Sequence, residues 1–212
     1  MNYLKSVYPH SRLVGLFVLV GLLAAAAFTF AQPLRFGATV RMLIIQRSAY
    51  GLDPYTAVKS AERIADNLSL VVHTEDFLQK TLAQDQNIDQ KQFPADANRR
   101  VRFWNRVLRA RLTPGTGLLS LTAYATEKFE AERIAQAAGN VLIIHGREYI
   151  GGDLEVKLVD SPHATPYPVS PNIPLNFGLG ALLGLLVGIG YSFWKGNRVE
   201  KFQNPNLTIN NQ

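Results

Sequence analysis

Apolar positions along this chain gather into two unbroken blocks, and the stretch between them alternates apolar with polar residues at regular periods. The later block, Ile173 to Trp194, is 22 residues long and carries no charge. As a helix rising about 1.5 Å per residue it would reach roughly 33 Å, enough for a bilayer core. The earlier block, Leu13 to Phe30, has 18 uncharged residues after Lys5 and Arg12. It exceeds the 7–15 residues of a signal-peptide core, so the pattern predicts an uncleaved span; cleavage near Ala31 is the alternative. Lys195, Arg198 and Lys201 follow the second block at once, while no Lys or Arg lies between Lys157 and Ile173. Cations mark the cytoplasmic side, so both termini are predicted to be cytoplasmic and the middle extracytoplasmic. Arg35, Arg41 and Arg47 balance Lys5 and Arg12, so the first block alone fixes no orientation.

Within the middle, Phe36 to Gln46 is rich in β-branched residues and reads as a strand. Asp53-Pro54 is an N-cap followed by proline at the first helical position. Ala57, Ala61, Ile64, Ala65, Leu68, Val71 and Val72 continue it at helical spacing. A second short helix opens at Thr74, with Glu75 and Asp76 placed to complement its dipole. After a polar loop from Gln84 to Ala95, a short helix is predicted over Asn98 to Val107 and a strand over Leu108 to Leu112. Thr113 to Gly117 is a turn, and Leu118 to Tyr124 is the paired strand. A long helix opens at Thr126 with an inward face of Phe129, Ile134, Ala138, Val141, Leu142, His145 and Tyr149, and Gly151-Gly152 ends it. Leu154 to Asp160 is a last strand. This order predicts an α+β fold, a four-stranded sheet with helices on one face in a split βαβ arrangement. The first and last strands are expected to pair.

Composition changes this picture little. From Ala31 to Asn172 there are 17 Lys and Arg against 15 Asp and Glu, so most of the net +6 sits in the tails and no nucleic acid partner is implied. With no cysteine there is no disulfide, thiolate metal site or cysteine nucleophile. His10, His73, His145 and His163 are scattered without ligand spacing, so neither a metal nor a cofactor is predicted. The pairs Asp85/Asp89 and Glu127/Glu130 fall in a loop and at a helix start, and Gly-x-Ser-x-Gly and phosphate-binding loop motifs are absent. Nothing here reads as an enzyme. The densest charge signal is Arg99, Arg100, Arg102 and Arg106, continued by Arg109 and Arg111, with Phe103 and Trp104 among them. Such a run is either a solvated face or a contact for a polyanion or partner. In the second block Gly180, Gly184 and Gly188 lie four apart, a ridge that lets helix backbones approach closely. The partner is either the first block, through Gly21 and Ala25, or a neighbouring subunit.

A strand ending Val159-Asp160, then Ala164, Pro166, Pro168-Val169-Ser170-Pro171-Asn172, then a glycine-spaced span, resembles the polysaccharide co-polymerase family, the Wzz-type chain-length determinants. Asp53-Pro54-Tyr55 opening a helix, and an alanine-rich helix before the last strand, fit the same resemblance. It implies a homo-oligomer of the cytoplasmic (inner) membrane. Such an oligomer regulates the chain length or export of a surface polysaccharide (O-antigen, capsule or exopolysaccharide) beside a Wzy-type polymerase, forming no bond itself. Its proline-rich motif carries over as Pro166, Pro168 and Pro171, and the nascent glycan is a further possible partner. The middle lacks the long protruding helices of large chain-length regulators, and the tail carries no tyrosine kinase domain. That shortness is similar to capsule-system adaptors that activate a separate tyrosine kinase, which is the alternative, together with an anchored interaction domain unrelated to glycans. The expected boundaries are a cytoplasmic N-terminus at 1–12, spans at 13–31 and 173–194, the α+β domain at 32–160, a proline-rich leader at 161–172 and a cytoplasmic tail at 195–212.

Overall fold

A computed structural model describes residues 11–46, 53–151 and 154–203. The chain divides into two compact units: Leu34–Val169, and Met1–Pro33 together with Ser170–Gln212. The expected N-terminus before Ser11, Arg47, Gly152 and the tail beyond Gln203 lie outside the described residues.

The first unit is a mixed α/β domain. Its strands are β1 (Phe36–Gln46), β2 (Leu108–Leu112), β3 (Leu118–Ala125) and β4 (Leu154–Ala164), in the sheet order β2-β3-β1-β4 with every neighbour antiparallel. Four helices of this unit complete it: α2 (Pro54–Val71), α3 (Glu75–Gln84), α4 (Ala97–Val107) and α5 (Lys128–Ile150). Alternation sorts β1 and β3 into two faces. Ala38, Val40, Met42 and Ile44 of β1, with Leu119, Leu121 and Ala123 of β3, are buried under the helices. The intervening Thr39, Arg41, Ser120 and Thr122 lie on the other face. β1 is central and pairs with both β3 and β4, so the first and last strands of the domain are neighbours.

Local chemistry starts and stops the helices. The Asp53 carboxylate accepts from the backbone N–H groups of Tyr55 (3.0 Å) and Thr56 (3.2 Å), capping α2. The Thr56 hydroxyl adds a further bond, the largest cause of an Asp53 pKa below the ordinary carboxylate value. Thr74 caps α3 through Phe77 N–H at 3.3 Å, and Asp96 caps α4 through Arg99 N–H at 2.9 Å. Trp104 of α4 is fully buried and donates its indole N–H to the Val72 carbonyl at 2.8 Å, pinning α4 to the end of α2. Gly151 ends α5 with a positive φ of 71°, a conformation open to glycine.

Three details differ from the sequence pattern. Phe129 is 74 % exposed, whereas Ala131, Ala135 and Ala138 face the core with Ile134, Val141 and Leu142. The reason is helical phase: at about 100° per residue, Phe129 falls some 140° from Ile134. The helix itself begins at Lys128, with Glu127 at the N-cap position rather than Thr126. Finally, β4 runs on to Ala164, past the expected end at Asp160.

The second unit holds two helices long and apolar enough to cross a membrane, over Arg12–Phe30 and Ile173–Ser192. They belong to α1 (Ser11–Phe30) and α6 (Ile173–Gln203), which pack against each other. α6 continues nine residues past Trp194, so the tail expected from residue 195 starts as helix.

Candidate functional site

The glycine ridge of α6 lies against α1. A methyl group added at Gly180 would stand 2.6 Å from the Ala25 Cβ, at Gly184 2.8 Å from the Val18 Cα, and at Gly188 3.0 Å from the Val14 Cα. At Gly180 and Gly184 a side chain does not fit without a shift, and at Gly188 it would be tight, so glycine sets how closely the two backbones approach. Gly21 meets the Gly180 carbonyl and the Gly184 Cα from the other side. By contrast, a side chain at Gly178 or Gly190 would meet nothing within 4 Å. A polar link joins the same helices: Asn176 donates to the Thr29 hydroxyl at 3.1 Å, and that hydroxyl donates to the Ala25 carbonyl at 2.7 Å. Phe17 and Tyr191 stack with ring centres 5.4 Å apart.

The proline segment is partly sheet. Ala164 pairs with Ala38, the Thr165 N–H donates to the Gly37 carbonyl at 2.8 Å, and the Val169 N–H donates to the Arg35 carbonyl at 2.8 Å. The Thr165 hydroxyl is bound at both ends, accepting from Gly37 N–H and donating to the Tyr167 carbonyl. Lys128 donates to the Pro166 carbonyl at 3.0 Å. Residues 161–169 are therefore laid along β1 as part of the domain, rather than forming a leader separate from it. Pro166 and Pro168 are exposed, while Pro171 is buried and follows a cis Ser170-Pro171 bond.

The arginine run splits in two. Arg99, Arg100, Arg102 and Arg106 ride on α4, and Arg109 and Arg111 on β2. Arg100 forms an ion pair with Glu75, its Nε donating at 2.7 Å, with both side chains 27 % exposed. That bond is the main reason the Glu75 carboxyl stays below its usual pKa, against the opposing effect of burial. Arg106 lies over the Phe103 ring, 5.7 Å from its centre. Arg99 and Arg102 are exposed on the same helix.

Arg109 and Arg111 instead project onto the sheet face opposite α2–α5, where they share a groove with Arg41 of β1. The sequence already sets Arg109 and Arg111 on the strand expected over Leu108 to Leu112, but it ties Arg41 to the orientation of the first span and not to this cluster. The signal that separates them is the alternation Leu108-Arg109-Ala110-Arg111-Leu112, buried-exposed by turns, together with a register that places Arg41 two strands away.

The other ionic cluster ties α3 to α5. Lys80 bridges Asp76 (3.2 Å) and Glu148 (2.9 Å), and the Tyr149 hydroxyl donates to Asp76 at 2.6 Å. Burial and the Asp76 carboxylate push the Tyr149 phenol up to about 12. Among the described residues, no group of three or more His, Asp or Glu is placed to hold a metal ion. Compared with known proteins, the chain matches no protein-family model and no curated protein.

Proposed function

We propose that this protein is a short polysaccharide co-polymerase: a two-span membrane protein that sets the length or export of a surface polysaccharide beside a Wzy-type polymerase, without forming bonds itself. The observation that carries the reading is the joint architecture of the chain. A small α+β domain is delimited by two apolar helices, and its last strand continues through the proline segment toward the second of them.

Membrane insertion is supported by what the helices leave outside. Of the apolar windows Arg12–Phe30 and Ile173–Ser192, only 6 % and 11 % are buried within the molecule. A core helix of a water-soluble protein would hide most of its apolar side chains, whereas lipid accepts them. In this reading both termini are cytoplasmic and the domain is extracytoplasmic. The glycine seam packs α6 on its own α1, and the outward leucine faces supply the homo-oligomer and the contact with polymerase.

The test is the size distribution of the surface glycan. Removing the chain, or replacing Gly184 with leucine, shifts the ladder of polymer lengths; a ladder unchanged by both sinks the proposal. One observation favours a second reading, a membrane adaptor for a separate tyrosine kinase: α6 extends as helix through Gln203, a segment that includes Lys195, Arg198 and Lys201. Deleting the chain from Lys195 onward would then abolish partner-kinase phosphorylation while leaving the glycan-length effect of the Gly184 variant intact.

A further inference from the structure

The sheet face opposite the domain's own helices carries a groove of about 460 Å³. Strand register arranges its floor in rows. In one, Arg111 lies opposite Ser120, and Ser120 opposite Arg41. In the next, Arg109 lies opposite Thr122, and Thr122 opposite Thr39, whose hydroxyls share a hydrogen bond of 2.8 Å. Strands are spaced about 5 Å apart, so Arg41 and Arg111 flank the groove with roughly 10 Å between their backbones. Tyr124 presents its ring beside these rows, with the Arg109 guanidinium 5.8 Å from its centre.

Charge on this face is largely uncompensated. Arg109 and Arg111 have no carboxylate partner among the described residues. Arg41 has Asp160 at 3.8 Å, with both side chains about half exposed (55 % and 52 %), a contact that an incoming carboxylate can displace. A hydroxyl floor between guanidinium walls does not suit an apolar helix. It suits a ligand that carries hydroxyls and anionic groups together: guanidinium forks carboxylate oxygens in two parallel bonds, threonine and serine exchange hydrogen bonds with ring hydroxyls, and a tyrosine face covers the apolar side of a sugar ring. The volume is within the usual range for small-ligand sites, about 300–1,000 Å³.

We propose that this groove binds a short segment of an acidic, carboxylate-bearing polysaccharide, with Arg41, Arg109 and Arg111 holding the carboxylates and Ser120, Thr122 and Thr39 reading the hydroxyls. The choice of a glycan among polyanions rests on the co-polymerase reading; the groove and its charge do not.

The test uses the full chain in detergent micelles and three labelled probes: an oligogalacturonide, a neutral dextran oligomer of matched size, and a polyglutamate peptide. The oligogalacturonide binds saturably and the dextran does not. Arg109→Gln/Arg111→Gln weakens that binding by at least tenfold, whereas Arg99→Gln/Arg102→Gln on α4 leaves it within twofold. Thr39→Val/Thr122→Val, which keeps every charge, weakens the oligogalacturonide severalfold and leaves polyglutamate unchanged. Circular dichroism of each variant checks that the domain is folded. Equal loss from the two arginine pairs, or no loss from the β2 pair, overturns the proposal, as does polyglutamate binding as tightly as the sugar. The two readings fail separately. If removing the chain shifts the glycan ladder while the β2 variant binds as wild type, the groove assignment alone falls. If the ladder never moves but the β2 variant loses the oligogalacturonide, the groove stands and the co-polymerase reading falls.

Discussion

Trp104, Phe77, Met42 and Leu121 are fully buried in the α+β domain, whereas in the helix pair Leu182, Leu183 and Leu186 are each more than half exposed. The small residues are distributed the other way: Gly180, Gly184, Gly188 and Gly21 form the inside of the helix pair. Each unit is ordered, yet their apolar side chains point in opposite senses. The domain follows the water rule, in which burying a large apolar side chain contributes about 1.5–3 kcal/mol. In the helix pair no such gain is available if the surroundings are lipid, and what remains is close backbone contact, which large residues prevent. Hydrophobicity alone thus does not identify an interior; the solvent assumed for each segment decides which residues pack.

The largest effect separates the units by truncation. Trp104→Ala removes a fully buried ring and leaves the Val72 carbonyl without its indole donor, and should cost about 3–5 kcal/mol of domain stability. Leu186→Ala, on the outward side of α6, should change stability by no more than about 0.5 kcal/mol. Hydrogen exchange in urea, on the full chain in detergent, measures the first at the β1 and β3 amides and the second at the α6 amides. Comparable losses from the two substitutions would mean that the outer face of α6 is packed in the protein, and the contrast would disappear.

Enlargement gives the converse contrast, with a smaller effect. At Gly184 a new side chain meets the Phe17 carbonyl and the Val18 Cα, so Gly184→Leu should force α1 and α6 apart at a cost of about 1–3 kcal/mol. Gly178→Leu meets nothing within 4 Å and should be silent. The chain has no cysteine, so cysteines placed at Phe17 and Tyr191, whose rings are 5.4 Å apart, report the seam without background. The distance between spin labels on them should lengthen in the Gly184 variant and stay unchanged in the Gly178 variant.

Much of the domain is legible in the sequence because its signals are local. The Asp53-Pro54 start, the Thr74 cap followed by two acids, and the alternation from Leu118 to Tyr124 each depend on residues within one turn or strand. The four-apart glycines are legible for the same reason, but which helix meets them depends on tertiary packing. Composition misleads where a cluster crosses an element boundary. Six arginines from Arg99 to Arg111 look like one patch, yet the change from helix to strand at Leu108 sends Arg109 and Arg111 onto a different face from Arg99 and Arg102. Glu75, far away in sequence, takes Arg100. The prolines mark residues 161–172 as a leader, but what that segment bonds to is not legible in them: the non-proline N–H groups of Thr165 and Val169 donate to the Gly37 and Arg35 carbonyls.

Charge supplies the finest test of the comparison. Carboxylates of the domain, Glu62, Glu75, Asp76 and Glu148, all have pKa values lowered by hydrogen-bond donors. For Glu75 the largest cause is Arg100. A carboxylate whose folded pKa lies below its unfolded value, about 4.3 for glutamate, contributes stability that is present above that pH. The contribution disappears as pH falls through the folded value. Arg100→Gln should therefore cost the domain about 1 kcal/mol at neutral pH, a difference that narrows in acid as Glu75 protonates in both proteins. The apolar windows Arg12–Phe30 and Ile173–Ser192 carry no carboxylate, so acid has little to titrate within them. Lowering the pH from 7 toward 3 should loosen the β1 amides while spin labels on cysteines placed at Phe17 and Tyr191 keep the distance they have at pH 7. If that distance instead changes in step with the domain, the two units unfold as one, and the difference in how they bury apolar surface does not make them independent.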